Sequence, residues 1–182
     1  MIIDSRLTFE QAIEGTTATK EVIDEMALLD VRYYGLDGEL HQGQIMVNKN
    51  VEKDTREIFD IILETRFPIN KCVPLSVYGW SDDASMDDNN SSAFCYRVIA
   101  GTNKMSQHSF GYAIDINPRF NPMIYVDGRV LPQNGVYDKS RPGTLLEGSD
   151  IVKAFEGRGF LWRGRNRQKY DDLHHFDKLI ES

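Results

Sequence analysis

The chain has 182 residues, a net charge of −7 and 41% hydrophobic residues, which fits one compact globular domain and excludes an intrinsically disordered chain. The acidic balance lacks the positive charge typical of a nucleic-acid-binding protein. No apolar run reaches the roughly 18 residues that cross a membrane. The first residues, MIIDSRLTFEQAIEG, do not form a secretory signal, so the sequence leaves the location of the protein open.

The first third of the chain predicts two short helices followed by a hairpin. Residues 8–28 favour one or two helices, with Gly15 as a break and Thr16 or Thr17 as the cap of the second helix. Residues 31–48 are rich in strand-forming side chains on both sides of a turn, which predicts a β-hairpin.

The middle of the chain predicts a long amphipathic helix and a polar loop. The helix runs from about Asn50 to Arg66 and ends before Pro68, and its apolar residues recur at helical spacing. Residues 81–92 are the most polar stretch and predict a loop with solvated aspartates, since they lack the spacing of an EF-hand. The apolar face of the helix consists of Val51, Ile58, Ile61 and Ile62.

The last third predicts further strands and one capped helix. An Asp127-Gly128 turn indicates a hairpin, and Ser149 to Arg158 form an amphipathic helix. A strand from about His174 to Ile180 completes an α+β fold with a small, mostly antiparallel sheet and helices mainly from the amino-terminal half. We therefore expect residues 1–30 to be a helical segment packed on a single domain of residues 31–182.

Two cysteines, Cys72 and Cys95, are present. They permit one disulfide but not a cysteine-based structural zinc site, which needs four ligands. The burial preference of cysteine favours two buried free thiols.

Two segments combine histidines with carboxylates. SQHSFGYAIDINP contains His108 and Asp115, and YDDLHHFD contains Asp172, His174 and His175. A catalytic zinc takes three protein ligands, commonly histidine and carboxylate, and leaves a fourth position for water. His108, Asp115 and one histidine of the second segment would supply this set. The alternative is that they are surface polar residues or hydrogen-bonded core histidines.

Strand geometry limits the roles of these residues. If Gly111 turns the chain after His108, Asp115 lies inside the apolar strand YAIDIN, where an unpaired carboxylate would be costly. In a strand, His174 and His175 point to opposite faces, so one of them reaches the metal. Asp172, three residues before His175, is placed to act as a general base.

The segment Ser106 to Pro118 resembles the metal-binding signature of the VanY-like D-alanyl-D-alanine carboxypeptidase and L-alanyl-D-glutamate peptidase family of zinc enzymes. Residues 85–102 resemble the family segment before this signature, and residues 159–164 resemble its aromatic-glycine segment. Residues 172–177 resemble its closing D-x-x-H-F motif. In family order, the resemblance covers about residues 30–180.

The resemblance implies the fold of hedgehog-type proteins and D-Ala-D-Ala peptidases, with Zn²⁺ held by His108, Asp115 and His175. It implies Asp172 as the catalytic base. Cys95, where the family has a polar residue such as Asn, and the extra histidine His174 depart from its pattern without removing a ligand.

Three further residues have two interpretations each. Arg97 matches a family arginine that steadies the carbonyl oxygen or the substrate, and alternatively forms a salt bridge to the acidic stretch before it. Ser106 begins the metal-binding signature and would bind substrate or orient the site. Trp162 would form a wall of the substrate cleft or belong to the core.

A local cluster of basic residues follows the last helix. It is either a solvated face or a surface that attracts the carboxylates of stem peptides or an anionic wall polymer. The cluster consists of Arg158, Arg163, Arg165, Arg167 and Lys169.

The sequence thus predicts a zinc-dependent peptidase that hydrolyses a bond beside a D-amino acid in peptidoglycan stem peptides or muropeptides. The D-Ala-D-Ala carboxypeptidase type is the primary hypothesis, with an L-Ala-D-Glu endopeptidase or a non-catalytic metal-binding cell-wall or signalling module as alternatives. A carboxylate at position 172 argues against the module. Two histidines and a carboxylate also form the site of non-haem iron oxygenases, but that class uses an H-x-[DE] spacing. The oligomeric state stays open.

Overall fold

The computed structural model of the protein describes residues 1–165 and 168–179. These residues form helices and short, mostly antiparallel strands, which confirms the predicted α+β class. The strands belong to three three-stranded sheets and one two-stranded sheet instead of the single sheet expected. The helices are α1 (Phe9–Ala12), α2 (Lys20–Asp24), α3 (Glu52–Glu64), α4 (Asp82–Asp87) and α5 (Asp150–Glu156).

The strands are short, apart from one long hairpin. Their order in the sheets is β1-β3-β2, β10-β7-β8, β6-β11-β9 and β4-β5. The strands are β1 (Ile2–Ile3), β2 (Met26–Tyr34), β3 (Leu40–Asn48), β4 (Lys71–Cys72), β5 (Asn90–Ser91), β6 (Ala113–Asp115), β7 (Met123–Tyr125), β8 (Val130–Leu131), β9 (Leu161–Trp162), β10 (Tyr170–Asp172) and β11 (His175–Asp177).

The long hairpin is formed by β2 and β3, as predicted. The two strands pair antiparallel along their whole length, and β1 adds to the other edge of β3 in parallel. Because β2 runs from Met26 to Tyr34, the domain boundary expected at residue 30 falls inside a strand.

The second amino-terminal helix begins later than predicted. Thr16 and Thr17 do not cap it; its first flanking residue is Thr19. The Thr16 hydroxyl accepts a hydrogen bond from the Ala18 backbone N–H at 3.2 Å, and this local turn holds the chain outside the helix. The predicted break is present, since Gly15 has a φ of 77°.

The predicted long helix is divided into a 3-10 turn at Lys49–Val51 and then α3. Val51, Ile58 and Ile62 are buried in the core, and Ile61 packs against them. The helix ends before Pro68 because Arg66 adopts a left-handed conformation with a φ of 54°.

The prediction of a loop over residues 81–92 is wrong, because this stretch contains α4. The Ser81 hydroxyl accepts a hydrogen bond from the Ala84 N–H and caps the helix. Asp82 and Asp83 occupy the first turn, where negative charge is stabilised by the helix dipole. Serine followed by two acidic residues is a start signal for a helix, but the polar composition concealed it.

The carboxyl-terminal third follows the prediction more closely. β7 and β8 form the hairpin around Asp127-Gly128, and Ser149 caps α5. The last strand, β11, covers fewer residues than the predicted His174–Ile180, and Ile180 lies outside the described residues.

The main core is enclosed between the long hairpin, α3, α5 and the sheet β6-β11-β9. Phe155 stacks on Phe176 with ring centroids 3.8 Å apart, which joins α5 to β11. Cys72 and Cys95 are both free and buried, as favoured. The longest described helix has 13 residues, and none of the described helices has the length and apolarity needed to cross a membrane.

Gly111 is required where the chain turns into β6. It ends the 3-10 turn Gln107–Phe110 with a φ of 70°, and an added Cβ would lie 2.4 Å from the Asn48 backbone nitrogen. Gly128 also has a positive φ, of 87°, but no atom lies within 4 Å of its added Cβ. Substitution of these two glycines therefore distinguishes the cost of backbone strain, which both positions share, from the cost of steric overlap, which applies only to Gly111.

We predict that Gly111→Ala destabilises the protein more than Gly128→Ala. Both substitutions incur the left-handed strain of about 1–2 kcal/mol, and Gly111→Ala adds an overpacking cost of about 1–3 kcal/mol. Urea denaturation measures both free energies of unfolding. Equal losses in the two variants would show that the space around Gly111 does not constrain the turn.

A buried histidine and two aspartates connect the segment of β1 to the long hairpin. His41 Nδ1 lies 2.9 Å from an Asp4 carboxylate oxygen, and His41 Nε2 lies 3.1 Å from Asp37. Carboxylates accept hydrogen bonds and do not donate them. When His41 is charged, both of its ring nitrogens carry a proton and can donate to these carboxylates. Burial lowers the pKa of His41, but the hydrogen bonds to Asp37 and Asp4 outweigh this effect and raise it.

The raised pKa of His41 predicts a pH-dependent stability. The stabilisation that charged His41 provides is fully present below the pKa of histidine in the unfolded state, about 6.5. It is lost as the pH rises through the higher pKa of His41 in the folded state. We expect the free energy of unfolding of the wild-type protein to fall over that window. Urea denaturation at several pH values tests this against His41→Gln, which lacks the titrating ring. A parallel decline in the variant would contradict the assignment to His41.

Candidate metal centre

The candidate centre is built on the pairing of β6 with β11. Asp115 is the last residue of β6, and its backbone pairs directly with that of His175. On its other side, the Asp115 backbone exchanges two hydrogen bonds with Ser92, of 2.8 and 3.0 Å. The carboxylate is therefore held between two neighbouring segments, and Asp115 is only 3% exposed.

The third residue of the centre comes from the 3-10 turn that precedes β6. His108 Nδ1 lies 2.5 Å from the carbonyl oxygen of Ala93 and donates to it. This bond fixes the tautomer, so the Nε2 lone pair of His108 points into the centre. A carbonyl oxygen that accepts a hydrogen bond from the other ring nitrogen is typical of histidines that bind metals.

The ligand atoms of His108, Asp115 and His175 converge. His175 Nδ1 lies 2.9 Å from Asp115 Oδ1, and His108 Nε2 lies 3.1 Å from His175 Nδ1. His108 Nε2 also lies 3.2 Å from Asp115 Oδ2. Ligand bonds of about 2.0–2.1 Å in a tetrahedron separate neighbouring ligand atoms by roughly 3.3 Å. The three side chains can therefore hold a metal ion.

The protonation of the buried groups reflects their mutual attraction. Burial raises the pKa of Asp115, but the histidines His108 and His174 outweigh it and hold this pKa well below its usual value. Burial lowers the pKa of His108, but Asp115 and Asp82 outweigh this effect and raise it, while Arg97 opposes them. The buried carboxylate and the imidazoles of His108 and His174 thus each favour the charged form of the other.

The predicted base, Asp172, adjoins the centre through His174. Asp172 ends β10 and is 8% exposed. His174 Nε2 lies 3.1 Å from Asp172 Oδ1 and 4.0 Å from Asp115 Oδ2. His174 Nδ1 donates to the Asn121 carbonyl at 2.8 Å. Burial lowers the pKa of His174, but Asp172 and Asp115 outweigh this effect and raise it.

His174 and His175 differ in role because His174 lies in the turn between β10 and β11. Strand alternation alone would direct His174 away from the centre. In the turn, it contacts both the Asp172 and the Asp115 carboxylates instead. Its ligand atoms do not join the group of three that could bind a metal.

The other predicted site residues take different positions. Arg97 forms an ion pair of 2.7 Å with Asp82, which is the salt bridge to the acidic stretch expected as its alternative. Ser106 is buried and its hydroxyl accepts from the His108 N–H, so it caps the turn that carries a ligand. Trp162 is 7% exposed and its indole donates to the Leu173 carbonyl, which is a core position.

The basic cluster is largely paired with acidic residues of the same protein. Arg158 contacts Glu57, Arg163 contacts Asp177, and Arg165 contacts Glu147 and Glu156. Arg167 lies outside the described residues. These pairs leave less positive charge for an anionic ligand than the sequence suggested.

Sequence reasoning missed the neighbours that orient the centre. The Ala93 and Asn121 carbonyls have no side-chain signature, so only the tertiary structure identifies them. Asp82 was assigned to a solvated loop, although its position after the helix cap Ser81 could have indicated a fixed location.

We predict that His108→Ala abolishes tight metal binding. Removal of a ligand should weaken binding by more than the 10–100-fold typical of an outer-shell partner. Metal analysis after dialysis, with circular dichroism as a check of folding, measures the effect. His41→Gln is the control, because it removes an imidazole outside the centre and should retain the metal. Unchanged metal content in His108→Ala would reject this ligand set.

The family comparison covers the part of the chain that contains the centre. Residues 100–178 match the family model described as D-alanyl-D-alanine carboxypeptidase. The matched segment includes all three candidate ligands and Asp172, whereas Arg97 lies just before it. No curated protein and no solved structure gave a significant match. The match supports a peptidase and confirms the resemblance of residues 100–178 to the D-alanyl-D-alanine carboxypeptidase family.

Proposed function

We propose that the protein is a zinc-dependent peptidase that hydrolyses a bond beside a D-amino acid in peptidoglycan stem peptides. The observation that carries the proposal is the convergence of His108, Asp115 and His175, whose candidate ligand atoms all lie within 4.8 Å of one another. Two histidines and one carboxylate form a ligand set of catalytic zinc sites. The family match favours a peptidase over an oxygenase or a non-catalytic module.

When bound at this centre, Zn²⁺ would polarise the scissile carbonyl and lower the pKa of water towards neutrality. Asp172 would take a proton from the attacking water and return it to the leaving amine nitrogen. Its location supports this role, because His174 Nε2 lies 3.1 Å from the Asp172 carboxylate and 4.0 Å from that of Asp115.

Arg97 and Ser106 would support the reaction in two different ways. The Arg97 guanidinium would donate to the carbonyl oxygen as negative charge develops there, or bind a substrate carboxylate. Ser106 would act indirectly, since its hydroxyl caps the turn that carries His108.

The proposed reaction is of the D-Ala-D-Ala carboxypeptidase type. An L-Ala-D-Glu endopeptidase would use the same residues on a different bond, and its products would distinguish it. Incubation of purified stem peptides with the zinc-loaded protein, followed by mass spectrometry, should show loss of the terminal D-Ala. A chelator should stop the reaction and added zinc should restore it. Intact stem peptides with zinc-loaded protein would reject the proposed function.

We predict that Asp172→Asn keeps the metal but lowers kcat by about 10²–10⁴-fold, the usual contribution of a general base. Asp171→Asn is the matched control, because it makes the same charge change at the neighbouring residue, whose side chain points to the opposite face of β10. Initial rates on the cleaved stem peptide and metal analysis measure both variants. Full activity of Asp172→Asn would reject Asp172 as the base.

A further inference from the structure

We infer that Asp82 is a positioning residue that fixes the Arg97 guanidinium at the candidate metal centre. The inference deepens the proposed function and rests on it for the role of Arg97. Asp82 is not among the candidate site residues predicted from the sequence, and it lies at the start of α4, outside the matched residues 100–178.

The backbone of Arg97 is firmly attached to the turn that carries His108. The Arg97 N–H donates to the Ser109 hydroxyl at 2.9 Å, and this hydroxyl donates to the Arg97 carbonyl at 2.7 Å. The Ser106 N–H donates to the same carbonyl at 3.0 Å, and the Cys95 N–H donates to the His108 carbonyl at 3.1 Å. The Cα of Arg97 therefore has a fixed place beside a candidate ligand.

The end of the Arg97 side chain depends on Asp82. Among the described residues, its Nε is buried without a hydrogen-bond partner, while one terminal nitrogen lies 2.7 Å from Asp82 Oδ2. The Arg97 side chain is 34% exposed. Removal of Asp82 takes away the charged partner of the guanidinium and, with it, part of its orientation.

Asp82 can hold the guanidinium because its own backbone is fixed. The Ser81 hydroxyl caps α4 at the Ala84 N–H, which sets the start of the helix. The Asp82 side chain is 21% exposed. Since the Arg97 backbone is hydrogen-bonded to the turn that carries His108, the ion pair lies beside the segment of a candidate ligand.

The neighbouring Asp83 provides a matched control. Asp82 and Asp83 both lie in the first turn of α4 and have the same interaction with the helix dipole. Asp83 is exposed, and it forms no ion pair with any of the described residues. Asp82→Asn and Asp83→Asn therefore differ in the contact with Arg97 while the charge change and its effect on the helix are the same.

We expect Asp82→Asn to lower kcat on the cleaved stem peptide by about 10- to 100-fold, because misplacement of a transition-state contact costs up to that much. KM and zinc content should change little, and Asp82→Glu should recover part of the lost rate. Asp83→Asn should match the wild type. If Asp82 had only a structural role, Asp82→Asn would lower the midpoint of unfolding, and it would not lower kcat while leaving KM nearly unchanged.

A second measurement is independent of turnover. The ¹⁵N signal of Arg97 Nε, assigned with Arg97→Lys, reports the mobility of the guanidinium. We expect a high heteronuclear NOE at Nε in the wild type and in Asp83→Asn, and a low one in Asp82→Asn. An unchanged Arg97 signal in Asp82→Asn overturns the inference. So does a kcat of Asp82→Asn that equals or exceeds that of the wild type or of Asp83→Asn. Absence of hydrolysis by the zinc-loaded wild type rejects the proposed function, and the Nε signal then still decides whether Asp82 holds Arg97.

Discussion

The antiparallel pairing of β6 with β11 places a buried carboxylate next to an imidazole that is 60 residues away in the chain. A buried carboxylate without a partner would be strongly destabilising. Asp115 is compensated by His175 and His108, which lie within 2.9 and 3.2 Å of its oxygens. Every other feature of the candidate centre depends on this arrangement, because it brings the ligand atoms into one small volume.

The surrounding structure fixes the side chains that the pairing brings together. The Ala93 carbonyl orients His108, and the Asn121 carbonyl orients His174. Gly111 permits the turn that leads from His108 into β6, close against the Asn48 backbone. A site held by backbone carbonyls and tight packing is pre-organised, so little free energy is needed to order it when a metal or substrate binds.

The predicted residues differ in how the structure uses them. Two of the alternatives stated from the sequence agree with the geometry: Arg97 forms a salt bridge to the acidic stretch, and Trp162 is a core residue. For Arg97, the salt bridge and the proposed catalytic role are compatible, because the side chain stays 34% exposed beside Asp82. The ion pair thus has a function in the proposed mechanism instead of excluding one.

The sequence by itself determined the α+β class, the long hairpin, α3 and the candidate ligands, because period, turn residues and ordered motifs are local properties. It did not reveal α4, since a strongly polar composition concealed the cap at Ser81. The tertiary structure alone decided that His174 contacts Asp172 and Asp115, because His174 lies in a turn where strand alternation does not apply. It also decided that Asp82 meets Arg97, since contacts between distant segments depend on how the elements pack.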